Sequence, residues 1–170
     1  MPGFLAHADG LPDDVTLREV TGADHAFLAG VYASTREEEM KLATSWTDAQ
    51  KLAFLHQQFA LQDRHYRLHY PNAEHLVIEQ GGAPVGRIVL AISTVEVRLM
   101  DVALLPAFRG RGFGTALLKS LLAFADGLAL PVTLHVEPFN PALRMYEREG
   151  FVEVEMRGIY RFMRRPAAVS

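Results

Sequence analysis

Apolar positions recur with two different periods along the chain, and this separates strands from helices. Residues 15–20 alternate apolar and polar, as a half-buried strand does, whereas residues 47–70 repeat their apolar positions at helical spacing. Thr47 can cap the start of that helix, and Pro71 ends it. The side chains predicted to pack this helix on a sheet are Leu52, Leu55, Phe59 and Tyr66.

The remaining elements follow in an order typical of an α/β protein. Further helices are predicted over 23–34, 112–126 and 141–149. Further strands are predicted over 75–79, 85–92, 95–105, 132–136, 151–156 and 158–163. The pattern therefore predicts one domain over 15–164, with a flexible lead-in at 1–14 and a short tail at 165–170.

A glycine-rich segment joins a predicted strand to a predicted helix. Residues 109–115 read Arg-Gly-Arg-Gly-Phe-Gly-Thr. A helix that begins there points free backbone N–H groups and the positive end of its dipole into the turn, which favours an anion. The glycines let a phosphate approach the backbone, and Arg109 and Arg111 add positive charge. The segment predicts a phosphorylated ligand.

The spacing distinguishes three kinds of phosphate loop. A nucleoside-triphosphate loop needs Gly-Lys-Ser or Gly-Lys-Thr, but Lys119 and Ser120 follow Leu118 inside the helix. A dinucleotide fingerprint that starts at Gly110 meets Thr115 where glycine or alanine belongs, and it comes after four predicted strands. The pattern that remains is Arg-x-x-Gly-x-Gly.

This loop resembles the pyrophosphate loop of the GCN5-related N-acetyltransferases, the GNAT family, which bind acetyl-CoA. Residues 134–151 are similar to the second motif of that family, a strand that ends near an asparagine and a helix that carries a tyrosine and closes at Gly-Phe. Residues 82–92 are similar to the hairpin that precedes the loop. The resemblance spans 15–164 and is strongest over 99–151.

The resemblance implies an α/β fold whose sheet is mixed, mostly antiparallel and splayed, with helices on both faces. It also implies acetyl-CoA as cosubstrate, with the fourth-strand backbone binding the pantetheine arm and the thioester carbonyl. The residues expected to bind the cosubstrate are Val102, Ala103, Leu104, Arg109, Gly110, Arg111, Gly112, Phe113, Gly114, Thr115 and Asn140. Asn140 is also a suitable helix cap before Pro141.

Tyr146 matches the family's helix tyrosine and is the candidate proton donor to the departing thiolate. The alternative is that its ring only packs below Phe151.

The general base is less well defined. Many relatives carry a glutamate where this chain has Arg98, which cannot act as a base. Others use an acidic residue five positions before the asparagine, where this chain has His135. His135 is therefore the first candidate and Glu96 the second, although a strand histidine hydrogen-bonded to a neighbouring backbone group is an equal alternative for His135. A regular strand would turn Asp101 to the other face, which favours a structural role for it.

Composition narrows the function classes. The chain has no cysteine, which excludes disulfides, thiolate metal sites and a cysteine acyl-enzyme. A net charge of −3 gives no general attraction to nucleic acid. His65 and His69 are spaced as a metal pair but have no third ligand nearby in sequence, so no metal is expected. No apolar stretch is long enough for a membrane span, and a cytoplasmic protein is expected.

The resulting hypothesis is direct transfer of an acetyl group from acetyl-CoA to a primary amine, carried by a small molecule or a peptide. Glu37, Glu38 and Glu39, with Trp46, lie in the region that lines the acceptor site in this fold, but a glutamate run is also typical of a solvated helix. The alternatives are an acyl-CoA-binding regulatory module without catalysis and transfer of a longer acyl group. A homodimer is compatible with the sequence.

Overall fold

The computed structural model describes residues 3–168. Its helices are α1 (Phe4–His7), α2 (His25–Ser34), α3 (Glu37–Lys41), α4 (Asp48–His69), α5 (Phe113–Gly127) and α6 (Leu143–Arg148). Its strands are β1 (Val15–Glu19), β2 (Glu74–Gln80), β3 (Ala83–Ile92), β4 (Val97–Leu104), β5 (Val132–Val136), β6 (Val152–Arg157) and β7 (Tyr160–Arg165).

The strands form one sheet in the order β1-β2-β3-β4-β5-β7-β6. All neighbours pair antiparallel except β4 and β5, which are parallel and pair only at Val97 with Val132 and at Arg98 with Thr133. Beyond these two pairs the strands part. The predicted mixed, mostly antiparallel and splayed sheet is confirmed.

The two faces of the sheet differ in chemistry. On the first face, Ile88 and Leu90 of β3 share the main apolar core with Leu117 and Leu121 of α5. The second face carries α2 and α4, which pack on each other around Phe59. Helices therefore cover both faces, as expected. Because side chains alternate along a strand, β4 and β5 turn their polar residues to the second face.

A β-bulge in β4 changes which residues share the second face. Val89 pairs with Asp101 and Leu90 pairs with Leu99, so Met100 is an extra residue. The extra residue reverses the alternation and places Asp101 on the same face as Arg98. The sequence prediction, which assumed a regular strand and put Asp101 on the opposite face, was wrong here.

The N-terminal segment also differs from the prediction of a flexible lead-in. Phe4 is fully buried in the main core, with its ring edge-to-face against Phe124 at 5.6 Å. The Glu74 carboxylate accepts hydrogen bonds from the backbone N–H groups of Phe4 and Leu5, and Ser120 accepts one from Asp9. Residues 3–9 are thus anchored to β2 and α5.

Three smaller differences concern helices. Leu52, predicted to face the sheet, is 52% exposed, whereas Leu55 and Phe59 are buried. The last helix begins at Leu143 instead of Pro141. A short helix, α3, occupies the region that contains the three glutamates.

We predict that Phe4→Ala lowers the free energy of unfolding by about 3–5 kcal/mol, because it removes a fully buried aromatic ring and leaves a cavity. Urea denaturation measures this. The control is Phe139→Ala, since Phe139 is 78% exposed and its truncation should change stability by less than about 0.5 kcal/mol. Equal effects of the two substitutions would show that the N-terminal segment does not belong to the core.

Candidate active site

The candidate site is the opening between β4 and β5. Along its other edge β4 remains paired with β3, where Arg87, Ile88 and Val89 face Ala103, Val102 and Asp101. That support requires a glycine at position 86, because a Cβ there would clash with the carbonyl oxygen of Ala103. Among residues 3–168, the edge of β4 that faces β5 has no strand partner after Arg98. Its backbone groups are available to a ligand.

The glycine-rich loop lies at the end of this opening, where α5 begins. Gly112 caps the helix with a φ of 84°, a left-handed conformation that favours glycine. The first helical hydrogen bond runs from the N–H of Ala116 to the carbonyl of Gly112. The N–H groups of Phe113, Gly114 and Thr115 are therefore not used inside the helix and point out of its N-terminus. This is the geometry expected of an anion site.

The side chains of the loop contact other parts of the protein. Arg109 folds back, donating to the carbonyl of Leu104 at 2.9 Å and to the Ser34 hydroxyl at 3.1 Å. Phe113 is buried in the core, so only its backbone is available to a ligand. Arg111 is exposed and stacks on the ring of Phe108 at 5.4 Å.

Two further residues predicted to bind the cosubstrate lie near the same end of the site. The Thr115 hydroxyl lies 3.5 Å from the sulfur of Met145, which links α5 to α6. The Asn140 side-chain oxygen accepts the N–H of Ala142 at 2.8 Å. This bond closes a turn just before α6, whose N-cap is Ala142, so Asn140 does not have the helix-cap role that the sequence allowed for it.

Tyr146 lies on α6, which follows β5 across the opening from β4. Its side chain is 7% exposed, and its ring packs edge-to-face on Phe151 at 5.6 Å. Burial, followed by the negative charge of Asp101, raises the pKa of the phenol to about 12. The phenol thus keeps its proton at neutral pH, as a proton donor must. Packing on Phe151 and proton donation are compatible.

Glu96 is engaged by its neighbours. Its carboxylate accepts hydrogen bonds from Arg98 at 3.1 Å and from the hydroxyl of Thr133. Burial favours the neutral acid, but the bonds from Thr133 and Arg98 outweigh it and hold the pKa of Glu96 below its ordinary value. A carboxylate held in this way is a poor proton acceptor.

His135 lies on the second face of β5, with its ring 5.0 Å from that of Phe162. Nη1 of Arg157 lies 3.3 Å from Nε2 of His135, so the arginine donates and the ring nitrogen accepts. Burial, then the positive charges of Arg98 and Arg157, lower the pKa of His135 below 6.5. The imidazole is neutral at pH 7, but Arg157 must move before Nε2 can take a proton.

Two of the three glutamates of α3 form ion pairs. Glu39 pairs with Arg36, just before the helix, and Glu38 pairs with Lys41, both at 2.8 Å. Trp46 is 40% exposed and lies edge-to-face with Phe54 at 5.2 Å. This arrangement favours the solvated-helix interpretation of the three glutamates.

No group of three metal-binding side chains occurs within residues 3–168. The rings of His65 and His69 do approach each other, with centroids 4.4 Å apart, but a third ligand is lacking in that part of the chain. Across the same residues, no helix has the length and apolar character of a membrane span.

The comparison with known families decides the identity of the fold. The profile of the acetyltransferase (GNAT) family matches residues 34–151, well over half of the chain. The chain belongs to the GNAT family. The matched range includes the glycine-rich loop, both strands of the opening and Tyr146.

Solved structures of GNAT acetyltransferases share this fold. The chain superimposes on PaiA N-acetyltransferase from Thermoplasma acidophilum, solved in complex with coenzyme A, with a TM-score of 0.66 and 16% identity over 89% of this chain and 98% of that one. The ribosomal-protein-alanine N-acetyltransferase of Escherichia coli gives a TM-score of 0.59 and 17% identity over 92% of this chain and 96% of that one.

A curated relative aligns over a shorter region. The ribosomal protein bS18 alanine N-acetyltransferase of Haemophilus influenzae is 36% identical over 66 residues. The alignment spans 38% of this chain and 45% of the relative.

The sequence interpretation missed Arg87, which donates hydrogen bonds to both Asp101 and Gln62 on the second face. The sequence could have indicated Arg87, because it is a charged residue within the apolar run of β3, and a buried charge needs a partner.

We predict that Gly114→Val weakens CoA binding at least about tenfold, because the added side chain occupies the space beside the free N–H groups. Gly114 is the better probe than Gly112, since its φ is not positive and a Cβ there meets only the Met145 sulfur, at 4.0 Å. Isothermal titration measures the affinity. The control is Gly127→Ala at the other end of α5, and a folded Gly114→Val protein with wild-type affinity would contradict the assignment of the loop.

Proposed function

We propose that this GNAT protein transfers the acetyl group of acetyl-CoA directly to a primary amine, with no covalent enzyme intermediate. The observation that supports the proposal is the parting of β4 from β5 after two residue pairs, together with the free N–H groups at the start of α5 and a protonated phenol, Tyr146, on the helix that follows β5. The coenzyme A complex of the PaiA structure supports the identity of the cosubstrate.

The chemistry requires three things of the chain. The amine nitrogen attacks the thioester carbon and the C–S bond breaks, so the carbonyl oxygen needs a hydrogen-bond donor while it carries negative charge. The free backbone edge of β4 at Val102, Ala103 and Leu104 supplies such donors. The leaving thiolate takes the proton of Tyr146, and the phenolate regains a proton from the nitrogen that has formed the amide.

The amine must also lose a proton before it attacks, because an alkyl ammonium has no lone pair. His135 is the proposed acceptor of that proton, directly or through water, and Glu96 is the weaker candidate because Arg98 and Thr133 hold it. The neutral imidazole favours this assignment, and its contact with Arg157 makes the base sensitive to that arginine.

An acceptor on a peptide is supported by the two relatives named for acetylation of a ribosomal protein alanine. A small-molecule amine remains an alternative acceptor. A CoA-binding module without catalysis is favoured by Arg98, which replaces a glutamate common in relatives, and is opposed by the protonated phenol at the opening.

Thiol release from acetyl-CoA, measured over a panel of peptide and small-molecule amines, tests the proposal. At least one amine should stimulate release.

Tyr146→Phe should lower kcat by about 10²-fold, because the proton donor is lost. The affinity for CoA should stay within about twofold, because the ring is kept. The wild-type rate should show no loss from phenol ionisation below about pH 10, since the pKa of Tyr146 is about 12. Tight CoA binding without release by any amine would favour the non-catalytic module.

We predict a second signature in the pH dependence. If His135 is the base, kcat/KM rises with pH through an apparent pKa below 6.5, because burial and two arginines disfavour the imidazolium. His135→Gln should remove this limb, and Arg157→Gln should move it to higher pH because it removes a nearby positive charge. The control is His56→Gln on the exposed side of α4. An unchanged pH profile in both site variants would assign proton removal to water.

A further inference from the structure

The Asp101 carboxylate is bound asymmetrically. Nε and Nη2 of Arg87 both contact Oδ2, at 2.7 and 2.5 Å. Arg87 is 3% exposed, donates also to Gln62 and lies over the ring of Phe59 at 5.1 Å, so it holds that oxygen in place. Oδ1 accepts no hydrogen bond from any residue in the range 3–168, and the side chain is 27% exposed. This oxygen is therefore free to accept a hydrogen bond from a ligand.

Asp101 lies on the strand edge that forms the opening. Asp101 directly precedes Val102, at the point where β4 has already left β5. The bulge at Met100 turns it to the second face, and the Tyr66 hydroxyl, 3.3 Å from the Met100 carbonyl, supports that bulge. The bulged segment is thus anchored both to β3 and to α4.

The charge of the Asp101 carboxylate affects two tyrosines. Burial, followed by this negative charge, raises the pKa of both Tyr66 on α4 and Tyr146 on α6. Both phenols stay neutral at pH 7. Oδ1, which Arg87 leaves free, can accept a charge-assisted hydrogen bond from an alkyl ammonium group.

We propose that Oδ1 of Asp101 binds the protonated amine of the acceptor and positions its nitrogen beside the thioester held along β4. The inference rests on the proposed function and specifies its acceptor as an amine that arrives as an ammonium ion. Asp101 is a binding residue here, and the proton still leaves to the base.

The test compares a charged and an uncharged acceptor in Asp101→Asn. For the best alkyl amine of the thiol-release panel, KM should rise about 10- to 100-fold, the loss typical of a charge-assisted hydrogen bond. For aniline, which is uncharged at pH 7.5, kcat/KM should stay within about threefold of wild type. The KM for acetyl-CoA should not change.

The matched control is Asp126→Asn. Asp126 is also paired with an arginine, Arg165, and is similarly exposed at 26%, but it lies at the far end of α5. If Asp101→Asn does not fold, Asp101→Glu keeps the charge, displaces the oxygen by one methylene and should raise the KM for the alkyl amine alone.

Failure of the proposed function can be told from failure of this inference. If the wild-type protein acetylates no amine, butylamine is titrated into the CoA-saturated protein by calorimetry, and weaker binding to Asp101→Asn still supports the ammonium site. The inference is overturned if Asp101→Asn keeps the wild-type KM for the alkyl amine, if it loses aniline equally, or if the wild type neither acetylates nor binds an amine.

Discussion

The parallel pairing of β4 with β5 ends after two residue pairs, and the rest of the candidate site depends on that interruption. Each strand can leave the other because an antiparallel neighbour satisfies its outer edge, β3 for β4 and β7 for β5. Below the opening, α5 and the apolar face of the sheet form a continuous core that holds the two halves together. An unpaired backbone edge is normally costly, and here it becomes a binding surface.

The two faces of the sheet have different roles, one in stability and the other in chemistry. The first face is apolar where α5 packs, and the buried ring of Phe4 extends that core at its margin. The second face collects the ionisable side chains, in two groups. One group is Arg98, with Glu96, Thr133 and His135 near it, and the other is Arg87 with Asp101. Fixed arginines thus set the charge and the geometry on both sides of the opening.

Much of this could be predicted from residue pattern alone. Apolar periodicity located the sheet strands and three of the main helices, and the spacing of glycines located the anion loop, because both signals are local. The resemblance of residues 134–151 to a family motif supplied the position of Tyr146. The confirmed fold follows from these features.

The features that the sequence did not predict depend on contacts between residues that are distant in sequence. Phe4 is ordered through Glu74 and Phe124, which no local pattern links to it. The bulge at Met100 inserts one residue without a glycine or proline signal, and it reverses the face of Asp101. Arg109, predicted to add charge at the loop, also links β4 to α2, and Arg157 reaches His135 from another strand.

The central claim is that the cosubstrate lies in the opening between β4 and β5 with its phosphates at the start of α5. Amide hydrogen exchange, followed by NMR with and without acetyl-CoA, tests this most directly. The account predicts slower exchange at Phe113, Gly114 and Thr115 and along β4 from Val102 to Leu104, with β1 and β2 unchanged. Unaltered exchange in β4 and at the start of α5 in the presence of saturating acetyl-CoA, or protection confined to another part of the chain, would contradict it.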